Sequence, residues 1–197
     1  MQRAVGVAAF LLILAGPTEA DCLGEAKAAL DARLSYLPLR EILEGDRDGE
    51  HQRIVLELET LQRFHTIIAG AASQVELLIL DGKGWSREHG RWVPFAAAAA
   101  TSEATAEDER AMAAQLTDGA AATCLGVVDV GGQRLTGYEL KLDGDQSSGT
   151  PYSTLHLYAD PKTGLPASLD MTGQGETGPA NTTQTFEYLK GFKLTAP

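Results

Sequence analysis

The sequence predicts an α+β domain built mainly on one antiparallel sheet, and three observations predict it. Val75 to Phe95 reads as three short strands joined by two tight turns. Cys124 to Leu142 reads as a hairpin. Two segments of helical pattern, one at the start of the chain after residue 20 and one following the meander, supply the α component.

The meander carries the clearest turn chemistry. Val75, Leu77 and Ile79 alternate with Glu76, Leu78 and Leu80, and Asp81-Gly82 then offers the positive-φ pair that a two-residue hairpin turn requires. Trp85 follows. After Glu88, His89-Gly90 predicts a second reversal before Arg91, Trp92, Val93 and Phe95.

The chain opens on a leader. Arg3 precedes an apolar run from Val5 to Ala15, Gly16-Pro17 breaks it, and small residues flank Glu19 in Thr18-Glu19-Ala20. Residues 1–20 therefore read as a secretory signal peptide, and 21–197 as a single mature domain. The apolar run is too short to span a bilayer as a stable helix, so the mature chain is expected to carry no integral membrane segment. Acylation of Cys22 would need small or aliphatic residues just before it, and Glu19 and Asp21 argue against that.

Export also bears on the two cysteines. Cys22 and Cys124 would meet an oxidising compartment and have only each other as intramolecular partners, which predicts a Cys22–Cys124 disulfide. Two unpaired thiols, or a bridge between molecules, are the alternatives.

Asp21 is positioned to cap a first helix running to about Leu34. Leu23, Ala26, Leu30 and Leu34 share one face, and Glu25, Lys27, Asp31 and Arg33 are expected to point away. The Pro38 region and the run Gly45 to Gly49 separate this helix from a half-buried strand, Arg53 to Thr60, in which Ile54, Leu56 and Leu58 alternate with Glu57 and Glu59. A further strand carries Phe64, Ile67 and Ile68 toward Gly70.

Beyond the meander, Thr105 caps a second helix with acidic residues in its first turn, Met112 and Leu116 farther along, and Asp118-Gly119 as its stop. The alanines at 96–100 ahead of it read as helix-compatible filler, with a cover over a pocket as the alternative. Strands resume from Cys124 to Val130, turn at Gly131-Gly132, and continue from Leu135 to Leu142. Thr154 to Ala159, a stretch from Ala167 to Met171 beyond the turn Asp160-Pro161-Lys162-Thr163-Gly164, and Thr182 to Leu189 complete about ten strands.

A formal net charge of −11 argues against nucleic acid as a partner, because phosphate neutralisation needs clustered Lys and Arg, and none cluster here. His51, His65, His89 and His156 lie in no ligand-spaced motif and read as strand or surface histidines. Asp46 to Glu50 and Asp143 to Asp145 lack the full ligand series of a calcium loop and read as turns. With no nucleophile elbow, phosphate loop or dinucleotide fingerprint, no catalytic, metal or cofactor residue is nominated.

The order of elements resembles the periplasmic outer-membrane lipoprotein carriers, the LolA-like family. Local likenesses lie in Ile79-Leu80-Asp81-Gly82-Lys83 with Trp85 after it, and in Tyr158 to Pro166. The resemblance implies a strongly curved antiparallel sheet, an unclosed half-barrel, whose concave face is covered by the N-terminal and inserted helices. It further implies a periplasmic, non-enzymatic protein that binds a hydrophobic small molecule or acyl chains in an apolar cavity. Large apolar residues on short strands are the candidates for that cavity: Trp85, Trp92, Phe95, Leu77, Ile79, Tyr138, Leu140, Leu155 and Leu157. The same residues would serve equally as a filled sheet–helix core, in which case the domain would be an interaction module for an envelope protein partner. A shift of one residue in register would reverse which of them face inward.

Overall fold

The computed structural model describes residues 19–47, 49–70, 73–96, 111, 114, 117–142, 151–176 and 178–197. Helix α1 spans Glu19–Ala32 and tightens into a 3₁₀ turn over Arg33–Ser35. The eleven strands are β1 Leu39–Arg47, β2 Glu50–Thr60, β3 Arg63–Ala69, β4 Gln74–Leu80, β5 Lys83–Glu88, β6 Arg91–Phe95, β7 Ala121–Val130, β8 Gln133–Lys141, β9 Tyr152–Ala159, β10 Pro166–Gln174 and β11 Pro179–Tyr188.

They form one antiparallel sheet in the order β6-β5-β4-β3-β2-β1-β11-β10-β9-β8-β7. Strands consecutive in sequence pair with each other except β6 and β7, and the β1–β11 pairing joins the two halves. The sheet is curved and does not close, so β6 and β7 remain at its two edges. This is the expected half-barrel.

The tight turns have the expected conformations. Asp81 and Gly82 sit at φ 51° and 81°, and His89 and Gly90 at φ 49° and 81°, so both hairpins use two consecutive positive-φ residues. That geometry matches the twist of the flanking strands.

Strand β1 is the element that sequence pattern does not reveal. Its residues Leu39, Glu41 and Leu43 share a face, and Glu41 is buried there, so a charge occupies the inward periodicity. Gly45 belongs to this strand, not to the turn. A β-carbon added at Gly45 would lie 2.0 Å from the Asn181 carbonyl oxygen, so β11 approaches more closely than any side chain permits.

Helix α1 covers part of the sheet with Cys22, Ala26, Ala29 and Leu30 buried beneath it. A disulfide links Cys22 to Cys124 on β7. Leu23 and Leu34 are partly buried against the same cluster, whereas Arg33, expected to point away, is 1% exposed. The 3₁₀ turn carries its side chain inward, where it donates to the Leu30 carbonyl and to Glu41. Of the predicted second helix, only Ala111, Ala114 and the terminus lie among the described residues. Both alanines are helical, and Gly119 at φ 75° follows, as a helix stop requires. The polar segment 143–150 and most of residues 1–20, expected as a leader, fall outside the described residues.

Candidate functional site: the inner face of the sheet

Residues paired across an antiparallel ladder put their side chains on the same face, so register sorts the candidates. On the face that carries α1, one row runs Leu39, Leu58, Phe64, Ile79, Gly84, Phe95. The next runs Glu41, Leu56, Thr66, Leu77, Ser86, Val93, and a third runs Leu43, Ile54, Ile68, Val75. In the other half of the sheet, Leu169, Leu157 and Tyr138 align, as do Met171, Leu155 and Leu140.

Burial divides this inner face. Leu39, Leu58, Leu140, Leu155, Leu157 and Leu169 are completely sealed, and α1 packs over their cluster. Toward β6 the same face opens. Ile68, Val75, Val93 and Phe95 are each 38–45% exposed, an apolar surface continuous through the register with the sealed core. Isolated apolar residues at a surface are ordinary, but these four share one face of β3, β4 and β6, with Leu77 and the small Gly84 and Ser86 of β5 between them. Near the centre of the sheet, Leu43, Gly45, Gln52, Ile54, Tyr152 and Thr182 line a hollow of about 140 Å³.

The nine candidate residues therefore separate into three groups. Phe95 and half-buried Leu77 belong to the open flank. Ile79, Tyr138, Leu140, Leu155 and Leu157 belong to the packed core. Trp85 and Trp92 lie on the outer face, because Trp85 pairs with Leu78 and Pro94, and Trp92 with Arg87. Ile68, Val75 and Val93 complete the open flank. Ile68 and Val75 stand opposite each other in register, a relation that only the β3–β4 pairing supplies.

A polar cluster is set into the apolar face. Arg33 Nε donates to Glu41 Oε1 at 3.1 Å, and Gln184 Nε2 donates to Glu41 Oε2 at 2.6 Å. All three residues are 1–2% exposed. Burial, followed by the field of the Glu41 carboxylate, pushes the nearby Tyr188 phenol well above its ordinary range. Tyr138 donates to Glu25 Oε2 at 3.1 Å, and burial together with that bond pushes its phenol up to about 12.

The outer face is organised by charge. Glu187, Arg40, Glu57, His65, Leu78 and Trp85 follow one another across six strands in register. Arg40 bonds Glu187 at 2.8 Å and Glu57 at 2.7 Å, and the His65 ring nitrogens lie 2.9 Å from Glu57 and 3.1 Å from Glu76. Burial raises the Glu57 carboxyl, but the bonds from His65 and Arg40 outweigh it and hold the group below its ordinary value. Trp92 stacks under the Arg87 guanidinium at 5.2 Å and meets His65 edge-on.

No family model matches the chain, and no curated protein is significantly similar to it. Solved structures do resemble it. LprF from Mycobacterium bovis superposes with a TM-score of 0.60 at 10% identity, over 92% of this chain and 98% of that one. The Mycobacterium tuberculosis lipoprotein LppX superposes with a TM-score of 0.57 at 11% identity, over 86% and 95%. The chain shares their fold. The resemblance to the lipoprotein-carrier half-barrel holds at that level, across nearly the whole of each molecule.

Proposed function

We propose that this is an exported, non-enzymatic protein of the bacterial envelope that binds an apolar ligand, a lipid or the acyl chains of a lipoprotein, against the inner face of its sheet. The observation that carries the reading is the open flank of Ile68, Val75, Val93 and Phe95, continuous with a sealed apolar core. Such a surface gains free energy by covering itself with hydrocarbon, at roughly 25 cal/mol per Å² removed from water. The leader at residues 1–20 and the shared half-barrel fold support the same compartment and class. No helix among the described residues is long and apolar enough to cross a membrane.

A second reading is an envelope interaction module with a self-filled interior, and it too has an observation behind it. Leu140, Leu155 and Leu157 are fully covered by the protein's own side chains, and the hollow of about 140 Å³ lies below the roughly 300–1,000 Å³ of typical ligand pockets. Native mass spectrometry of protein isolated from its host separates the two. Retained lipid mass, with displacement of an environment-sensitive probe by fatty acid, supports the first. A clean apo mass, no displacement and a co-purifying protein support the second.

A further inference from the structure

On the outer face a bulge in β2 sets a nearly buried carboxylate against the segment that follows β11. Between Leu58 and Thr60 the β2–β3 register slips, so that Glu59 and Thr60 together oppose Arg63. Bulges of this kind re-aim a side chain, and here the re-aimed group is a carboxylate that is 7% exposed.

Glu59 gathers three donors. Lys193 Nζ reaches Oε1 at 2.8 Å, while the Leu194 backbone N–H and Arg63 Nε reach Oε2 at 2.9 and 3.0 Å. Arg63 then donates through Nη2 to the Leu194 carbonyl at 2.7 Å, and its Nη1 is held by Asp81. One ion pair thus grips both backbone polar groups of a single residue, which needs no particular side chain there, and a separate contact reads the cationic residue before it. Beside this clamp, Arg63, Leu80, Asp81, Lys83 and Trp85 border a hollow of about 280 Å³ with Ala196 at its rim.

The segment in the clamp belongs to neither helix nor strand. It is reached from β11 through Leu189, whose N–H bonds the Pro38 carbonyl at 2.9 Å, and through Gly191 at φ 68°. Glycine at such a φ lets the chain turn toward Glu59 without strain. Departure would leave a nearly sealed carboxylate short of two donors, and an incoming segment with the same donors would restore them.

We propose that Glu59 and Arg63, with Leu80 and Trp85, form a binding site for an extended peptide segment in which a lysine precedes a residue held through its backbone N–H and C=O. In this structure the chain's own Lys193 to Ala196 fill it, and a segment of the same chemistry on another protein exchanges with them. The site lies on the opposite face from the apolar flank and does not rest on the ligand reading.

The test uses the full chain carrying Lys193→Ala and Leu194→Pro, which removes both donors of its own segment without touching the sheet. A fluorescent peptide of residues 189–197 is added and its anisotropy followed. Saturable binding is expected, at least ten-fold tighter than to the unsubstituted chain, whose own segment competes. Adding Glu59→Gln to the same background should weaken binding at least ten-fold, and a peptide carrying Leu194→Pro or Lys193→Glu should bind at least ten-fold more weakly than the native peptide. The peptide substitutions leave the folded domain untouched, so they decide the matter independently of the stability of the Glu59 variant. Absence of binding by the native peptide, or equal binding by the substituted peptides, would overturn the site.

Discussion

Arg33 and Glu41 form an ion pair beneath the end of α1, with side chains 1% and 2% exposed. It joins the helix to β1, while the Cys22–Cys124 disulfide joins the helix to β7, so α1 is fastened to the sheet near both of its ends. A cover held in this way is unlike a hinged lid. If the proposed apolar ligand binds, its entry is expected from the β3–β6 flank.

Removing one partner of the buried pair should be costly. Glu41→Ala removes the buried carboxylate that Arg33 Nε and Gln184 Nε2 both donate to, and such losses typically amount to ~3–5 kcal/mol. The double substitution Arg33→Met, Glu41→Leu should recover part of that loss, the remainder being the Gln184 amide left without its acceptor. Chemical denaturation of the two variants beside the parent measures both effects, and a Glu41→Ala variant as stable as the parent would refute the expectation.

The disulfide closes a loop between residues 102 apart in sequence. Cys22→Ser with Cys124→Ser should lower stability by ~2–5 kcal/mol, mainly because the unfolded chain regains freedom. A thermal melt of this variant beside the oxidised parent measures the difference.

Glu59 makes a specific acid sensitivity. Hydrogen bonds from Lys193 and then the Leu194 N–H hold its carboxyl at about 2, against an ordinary value of 4.5. A folded-state value below the unfolded one contributes stability that is complete above about 4.5 and is lost as pH falls toward about 2. Glu59→Gln should flatten that part of the stability–pH curve. Denaturation midpoints collected between pH 5 and 2, on a scale set by those two values, reveal whether the slope depends on this residue.

On the open flank, Val75→Asp and Ile68→Asp should leave stability nearly unchanged, because both side chains are about half exposed. Binding of a fatty-acid probe should fall by roughly ten-fold or more, since losing one buried aliphatic contact removes about 1.5–3 kcal/mol. Unaltered affinity in both variants would dissociate the flank from ligand binding.

Gly45→Ala tests the central junction of the sheet. Its β-carbon would meet the Asn181 carbonyl oxygen at 2.0 Å and the Thr182 Cα at 2.6 Å, both backbone atoms that move only with β11. A loss of at least about 1–3 kcal/mol is expected, the scale of overpacking in a tight interior. Alanine at exposed Gly24, which has nothing within 4 Å, provides the control.

Much of this architecture is written locally. Asp81-Gly82 and His89-Gly90 specify their turns because few residue pairs accept two positive φ angles in succession, and Gly119 ends its helix for a related reason. Alternation in Ile54 to Leu58 and in Tyr138 to Leu142 marks strands, since a half-buried ladder has a period of two. What tertiary structure alone decided is which face and which partner. Trp85 and Phe95 look equivalent in sequence, yet the β5–β6 register sends them to opposite sides of the sheet. Arg33 reads as solvent-facing until a 3₁₀ turn brings it to Glu41, and β1 escapes notice because that same carboxylate interrupts its apolar stripe. Local backbone preference is set by neighbours in the chain, whereas facing, burial and charge pairing depend on contacts such as β1–β11, between residues far apart in sequence, whose side chains acquire an environment only when the sheet assembles.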